Sequence, residues 1–83
     1  MLTSELLKAA RMLLRWDQIR LAAESAVAPV TIKRIEAIDG PIKTTAKTSM
    51  KIRAALEAAG VEFIEDDGVR GAGVRLKTTA QLQ

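Results

Sequence analysis

Apolar residues return every three or four positions through the first sixty residues, and then the period shortens. Leu6, Leu7, Ala10, Leu13 and Leu14 recur at helical spacing, with Lys8, Arg11 and Arg15 between them. This predicts a basic amphipathic helix over about residues 4–14, capped by Thr3 or Ser4. Asp17 suits the cap of a second helix, about 17–25, with Ile19, Leu21, Ala22 and Ala26 as its apolar positions. A short break at Ala26-Val27-Ala28 precedes Pro29. Proline fits a first helical position, where its missing N–H has no intrahelical bond to lose. A third helix is expected from Pro29 to about Ile38, stopped by Asp39-Gly40-Pro41, with residues 39–47 as a loop. Thr48 is the expected cap of a fourth helix, about 49–59, with Met50, Ile52, Ala55, Leu56 and Ala59 on its apolar face and Gly60 as its stop. Beyond it, Val61–Ile64 and residues 73–77 read as short strands separated by turn formers. The expected layout is a helical domain over 1–60, a β-hairpin over 61–77 and a flexible tail over 78–83.

Composition narrows the chemistry. A chain of 83 residues supports one small core, since a domain of about 60 residues buries only about 60% of its unfolded surface. The 48% apolar share is enough to build that core and too high for a disordered tail. There is no cysteine and no histidine, which removes disulfides, thiolate metal sites, cysteine nucleophiles and the commonest general base. Ser4, Ser25 and Ser49 therefore lack a histidine partner. Glu65-Asp66-Asp67 reads as an acidic turn before Gly68. Gly71-Ala72-Gly73 lacks the Gly-Lys-Ser/Thr of a phosphate loop. An enzyme, a cofactor and a metal are not expected. Ala26-Val27-Ala28-Pro29-Val30 is the longest apolar run, far short of a membrane span, and no leader pattern opens the chain. A soluble cytoplasmic protein is the expectation.

Charge is more informative in its distribution than in its total. The net charge is only +3, but residues 8–53 carry ten basic and four acidic side chains. Such a body is compatible with a polyanion. It surrounds Trp16 to Glu36, a short helix, a three-residue break and a second short helix, which is the helix-turn-helix layout. At 100° per residue, Ile32 and Ile35 define the buried side of the second helix, while Val30, Lys33, Arg34 and Ala37 fall opposite. Arg34 suits a bidentate bond to a guanine edge, Lys33 a guanine or a phosphate, and Val30 a thymine methyl.

The string Arg11-x4-Trp16-Asp17-Gln18-x2-Leu21-Ala22-x4-Val27-x3-Thr31-Ile32-x-Arg34-Ile35-Glu36 resembles the Cro and phage-repressor (XRE) family of helix-turn-helix transcription regulators. The later strings Ala55-Leu56-Glu57-Ala58-Ala59-Gly60-Val61-Glu62-Phe63 and Gly71-Ala72-Gly73-Val74-Arg75-Leu76 resemble a small bacterial branch of it. The resemblance implies a mainly α, four-helix Cro/repressor-like domain with a short C-terminal β-hairpin. It implies that Gln18 grips a phosphate, that Ala28, Pro29, Val30, Lys33 and Arg34 face DNA, and that Thr31 lies near the backbone. Lys43, Thr44 and Lys47 would track phosphates, and Arg11 and Glu36 would form a structural ion pair. The implied partner is double-stranded DNA. A two-stranded hairpin is marginal alone, so the strands should pack on the helices or pair with a second chain, and one module covers little DNA; a homodimer on a palindromic operator is therefore expected, with the C-terminal strands or the fourth helix at its interface. The chain departs from the family pattern at Ala28, where a Ser or Thr cap is usual, at Ala26, where glycine is usual, and at Pro29 and Val30, where polar base readers are usual. Gly40 also follows Glu36 later than the family's glycine does. These departures keep a second reading open, a protein-interaction module such as an antitoxin or antiactivator. A weak salt dependence of binding would favour that alternative.

Overall fold

Thr3 opens the first helix. In the computed structural model, which describes residues 1–77, its backbone is extended and its Oγ1 accepts from the N–H of Leu6 at 3.1 Å. Four helices follow: α1, Ser4–Leu13; α2, Gln18–Ser25; α3, Pro29–Glu36; and α4, Ala46–Ala58. Strands β1, Val61–Ile64, and β2, Gly73–Leu76, form an antiparallel pair in which Val61 faces Leu76 and Ile64 faces Gly73. The protein is thus mainly α, with one two-stranded hairpin. The tail expected over 78–83 lies outside the described residues.

One core joins all four helices to the hairpin. Leu7 and Ala10 of α1, Leu21 and Ala22 of α2, Ile32 and Ile35 of α3, Ile52 and Leu56 of α4 and Val61 of β1 are buried together. Each fully buried Leu or Ile contributes about 1.5–3 kcal/mol. β1 packs on α4 and β2 on α1, so the hairpin is seated on the helices. Lys77 donates its N–H to the Gly60 carbonyl at 2.8 Å, which extends the pairing past β2. Among the described residues, every buried side-chain nitrogen or oxygen has a hydrogen-bond partner. No helix among them is long and apolar enough to cross a membrane.

Three expectations require correction. Helix α3 stops at Glu36, two residues before Ile38, because tertiary bonds take over its end. Ser4 Oγ donates to the Glu36 carbonyl at 3.2 Å, which explains why Ser4 is buried while Thr3 does the capping. Gly40, at φ +90°, then turns the chain against the N-terminus: the Ser4 N–H donates to Gly40 O at 2.8 Å and the Ile42 N–H to Leu2 O at 3.2 Å. Helix α4 starts at Ala46, not at Ser49. Thr45 is its cap, and Thr45 Oγ1 accepts from the Thr48 N–H at 3.2 Å, so Thr48 is the third helical residue of the capped turn. Lys47 consequently lies in the first turn of α4 and not in the loop.

The third correction concerns facing. Ile19, Met50 and Leu13 were expected on buried faces and are exposed, Ile19 by 64% and Met50 by 70%. The buried side of α2 is Leu21, Ala22 and Ser25, and Ile19 stands roughly 110° away from it at the helical period. Met50 lies nearly opposite Ile52 and Leu56. Apolar character alone led to the wrong placement; the phase of each residue carried the answer.

Candidate nucleic-acid interface

The turn between α2 and α3 is short and bonded back onto α2. Ala26 is left-handed, at φ 57° and ψ 37°, and its N–H bonds to the Ala22 carbonyl. Val27 is buried and its N–H also reaches Ala22 O, at 3.1 Å. Ala28 is extended and makes no side-chain cap, so Pro29 enters α3 without one. Holding alanine left-handed costs about 1–2 kcal/mol relative to the right-handed region. The buried Val27 and the packing of α2 on α3 offset that strain.

Behind the turn, a polar network fixes three helix ends together. Arg11 Nε donates to Glu36 Oε2 and Arg11 Nη2 to Glu36 Oε1, both at 2.9 Å, a bidentate pair. Arg11 Nη1 donates to the Trp16 carbonyl at 2.8 Å. Gln18 Nε2 donates to Glu36 Oε1 at 3.0 Å. The Glu36 side chain is 3% exposed and that of Arg11 16%, so the pair is shielded from water. It joins the end of α1, the first residue of α2 and the last of α3. Gln18 is thereby oriented by Glu36, with the second N–H of its amide uncommitted among the described residues.

On the outer side of α3, Val30, Lys33 and Arg34 are exposed, as are Ala28 and Pro29 before them. Thr31 is half-buried, and its N–H bonds to Ala28 O at 3.0 Å. Arg34 Nη1 donates to the Lys43 carbonyl at 3.1 Å, which ties the outer face of α3 to the loop after it. That loop also carries Thr44, half-buried, and leads to Lys47 on α4. Arg11, Arg20, Arg53 and Arg75 are paired with carboxylates. Lys33, Arg34, Lys43 and Lys47 have no carboxylate partner among the described residues. The structure therefore links Arg34 to the Lys43 backbone by a bond and links Gln18 to the Arg11–Glu36 pair.

One feature of the surface was missed in the sequence. Ile19, Ala23, Ala26, Ala28 and Pro29 line an open apolar depression between α2 and α3. The phase count for α2 carried the signal, since it turns Ile19 and Ala23 away from Leu21.

The acidic residues serve the loops. Asp67 Oδ1 accepts from the N–H groups of Val69 and Arg70, at 2.9 and 2.6 Å, and these bonds hold its carboxyl below the usual range. Asp66 Oδ1 accepts from Gly68 at 2.8 Å. Among the described residues, no group of three or more acidic side chains is placed to hold a metal ion. No protein-family model matches the chain, and no curated protein matches it.

Proposed function

We propose that this protein is a small sequence-specific regulator of transcription, of the Cro and phage-repressor type, that binds double-stranded DNA as a homodimer and acts by occupying its operator. The observation that carries the reading is the outer face of α3. It presents Lys33 and Arg34 without carboxylate partners, beside a loop that adds Lys43 and Thr44, and the Arg11–Glu36–Gln18 network sets its angle to α2. An exposed helix of this diameter fits the major groove, which is about 12 Å wide. Lys43, Lys47 and Gln18 are the phosphate contacts in this reading, and Arg34 the principal base contact. Eight residues of helix span only about 12 Å. One copy, 33 Å in its longest dimension, thus reads one half-site. Two copies on a palindrome, with recognition helices about 34 Å apart, supply the rest.

The apolar depression at Ile19, Ala23 and Pro29 favours a second reading, in which the fold binds a protein partner. Selection of bound duplexes from a random pool, followed by footprinting, separates the two. The DNA reading expects a palindrome, and an affinity that falls by about 0.9 log unit per phosphate contact for each log unit of salt. Arg34→Ala then loses discrimination at the base pair that Arg34 contacts, whereas Lys43→Ala weakens all duplexes about equally. Unchanged operator affinity in folded Arg34→Ala refutes the assignment of α3. Sedimentation as a monomer at tens of micromolar, with and without operator, refutes the dimer.

A further inference from the structure

We propose that the exposed face of α3 reads a composite half-site: a thymine methyl group, met by Val30 with Pro29 beside it, and a guanine edge, met by Arg34 about two base-pair steps further on. The inference rests on the DNA reading above and specifies what that surface recognises.

Val30 is 72% exposed, although the other branched apolar residues of its helix, Ile32 and Ile35, are fully packed. Its side chain contributes nothing to the core. Ala28 and Pro29, both exposed, extend the same apolar surface around the start of the helix. The C5-methyl of thymine is the apolar group that base edges present in the major groove. The polar side of the face is equally selective. Lys33 and Arg34 are donors only, and they match the O6 and N7 acceptors of guanine. The acidic residue of α3 is Glu36, which is buried and committed to Arg11 and Gln18. The exposed face thus offers no carboxylate to accept from the amino groups of cytosine or adenine.

Arg34 is also prepared for a two-pronged bond. Its Nη1 is bonded to the Lys43 carbonyl, and its Nε and Nη2 carry no partner among the described residues. Those two N–H groups form the parallel fork that a guanine edge accepts. Val30 and Arg34 are four residues apart, so they share one side of the helix and are offset by about 6 Å along it. With base pairs stacked about 3.4 Å apart, that offset corresponds to about two steps. Charge decides the occupant. A second copy of this chain on the same face would set Lys33 and Arg34 against their own likenesses, whereas a duplex neutralises both.

The test uses the full chain and the duplex that it selects from a random pool, resynthesised with single-atom changes. Replacing one thymidine by deoxyuridine deletes only the methyl group. Made at one position in one half-site, this is expected to weaken binding about fourfold, the factor for one buried methyl group. Replacing a guanine about two steps away by 7-deazaguanine deletes one acceptor and is expected to weaken binding by tenfold or more in the parent chain, and not in Arg34→Ala. In Val30→Ala, confirmed as folded by circular dichroism, the thymine-to-uracil ratio is expected to fall to near one. A selected half-site without a T·A pair, a ratio of one at every position in the parent chain, or an unchanged ratio in Val30→Ala overturns this proposal and leaves the DNA reading standing. Recovery of no duplex, or binding that ignores salt, overturns both.

Discussion

Replacing Arg11 by methionine removes the charge that the Glu36 carboxylate faces and keeps most of the side chain's apolar stem. The carboxylate, 3% exposed, would lose both arms of the bidentate pair and keep only Gln18 as a donor. Breaking a buried ion pair by removing one partner costs about 3–5 kcal/mol, because the remaining charge is stranded away from water. The loss falls toward the lower end here, since the Arg11 side chain is 16% exposed and water has a route in. A domain of 83 residues has a stability of about 4–12 kcal/mol at the usual value per residue. The substitution therefore removes a large fraction of the total. At about 4–8 °C per kcal/mol for a domain of this size, Tm drops by at least about 12 °C. Urea unfolding followed by the single tryptophan, Trp16, reads the change directly, with circular dichroism in parallel to verify one coincident transition. The double replacement Arg11→Met/Glu36→Leu should recover much of the loss, since it buries no unpaired charge. A loss under about 1 kcal/mol in the single variant, the value of a surface pair, would show that the pair is not a buried one in energetic terms. So would a double variant whose loss equals the sum of the two singles.

Ala26→Gly should stabilise the protein by up to about 1 kcal/mol, because glycine adopts the left-handed turn without steric cost; an unchanged or lowered urea midpoint would contradict this. Thr45→Ala should cost about 1 kcal/mol through loss of the α4 cap, while Thr48→Val should leave that cap's backbone bond in place; equal losses would show that the cap is misplaced. Acidification supplies a fourth test. Backbone N–H groups, its own and that of Gly40, hold Glu5 below the ordinary carboxylate range, and the Arg75 guanidinium does the same for Glu62. Their folded pKa values are depressed, so their contribution is complete above the unfolded value and is lost as pH falls through the folded one. Thermal melts should therefore decline only on the acid side of the ordinary carboxylate range, and Glu5→Gln should flatten that decline. A decline in Tm beginning near neutral pH would count against these carboxylates as its source.

Most of the element layout was legible in the sequence because its signals are local. Periodicity, the caps at Thr3 and Asp17, Pro29 at a first turn and Gly60 after α4 all act within a few residues. The burial of Ile32 and Ile35 and the exposure of Lys33 and Arg34 followed from one helical phase. The Arg11–Glu36 pair was suggested by resemblance rather than by spacing, since the two residues lie 25 apart. Gln18's bond to Glu36 and Arg34's bond to the Lys43 carbonyl had no local signal at all.

Which segments are helical, where the hairpin falls and which face of α3 is polar could all be read along the chain. Each of those depends on backbone and side-chain preferences that neighbouring residues settle among themselves. Where α3 ends was settled by long-range bonds, because the Glu36 carbonyl and Gly40 find their partners in the N-terminal segment. Ser4 donating to the Glu36 carbonyl and Gly40 pairing with the N-terminal segment join residues distant in the chain. Such contacts come from burial and from satisfying the polar groups that burial strands, and both are properties of the assembled core.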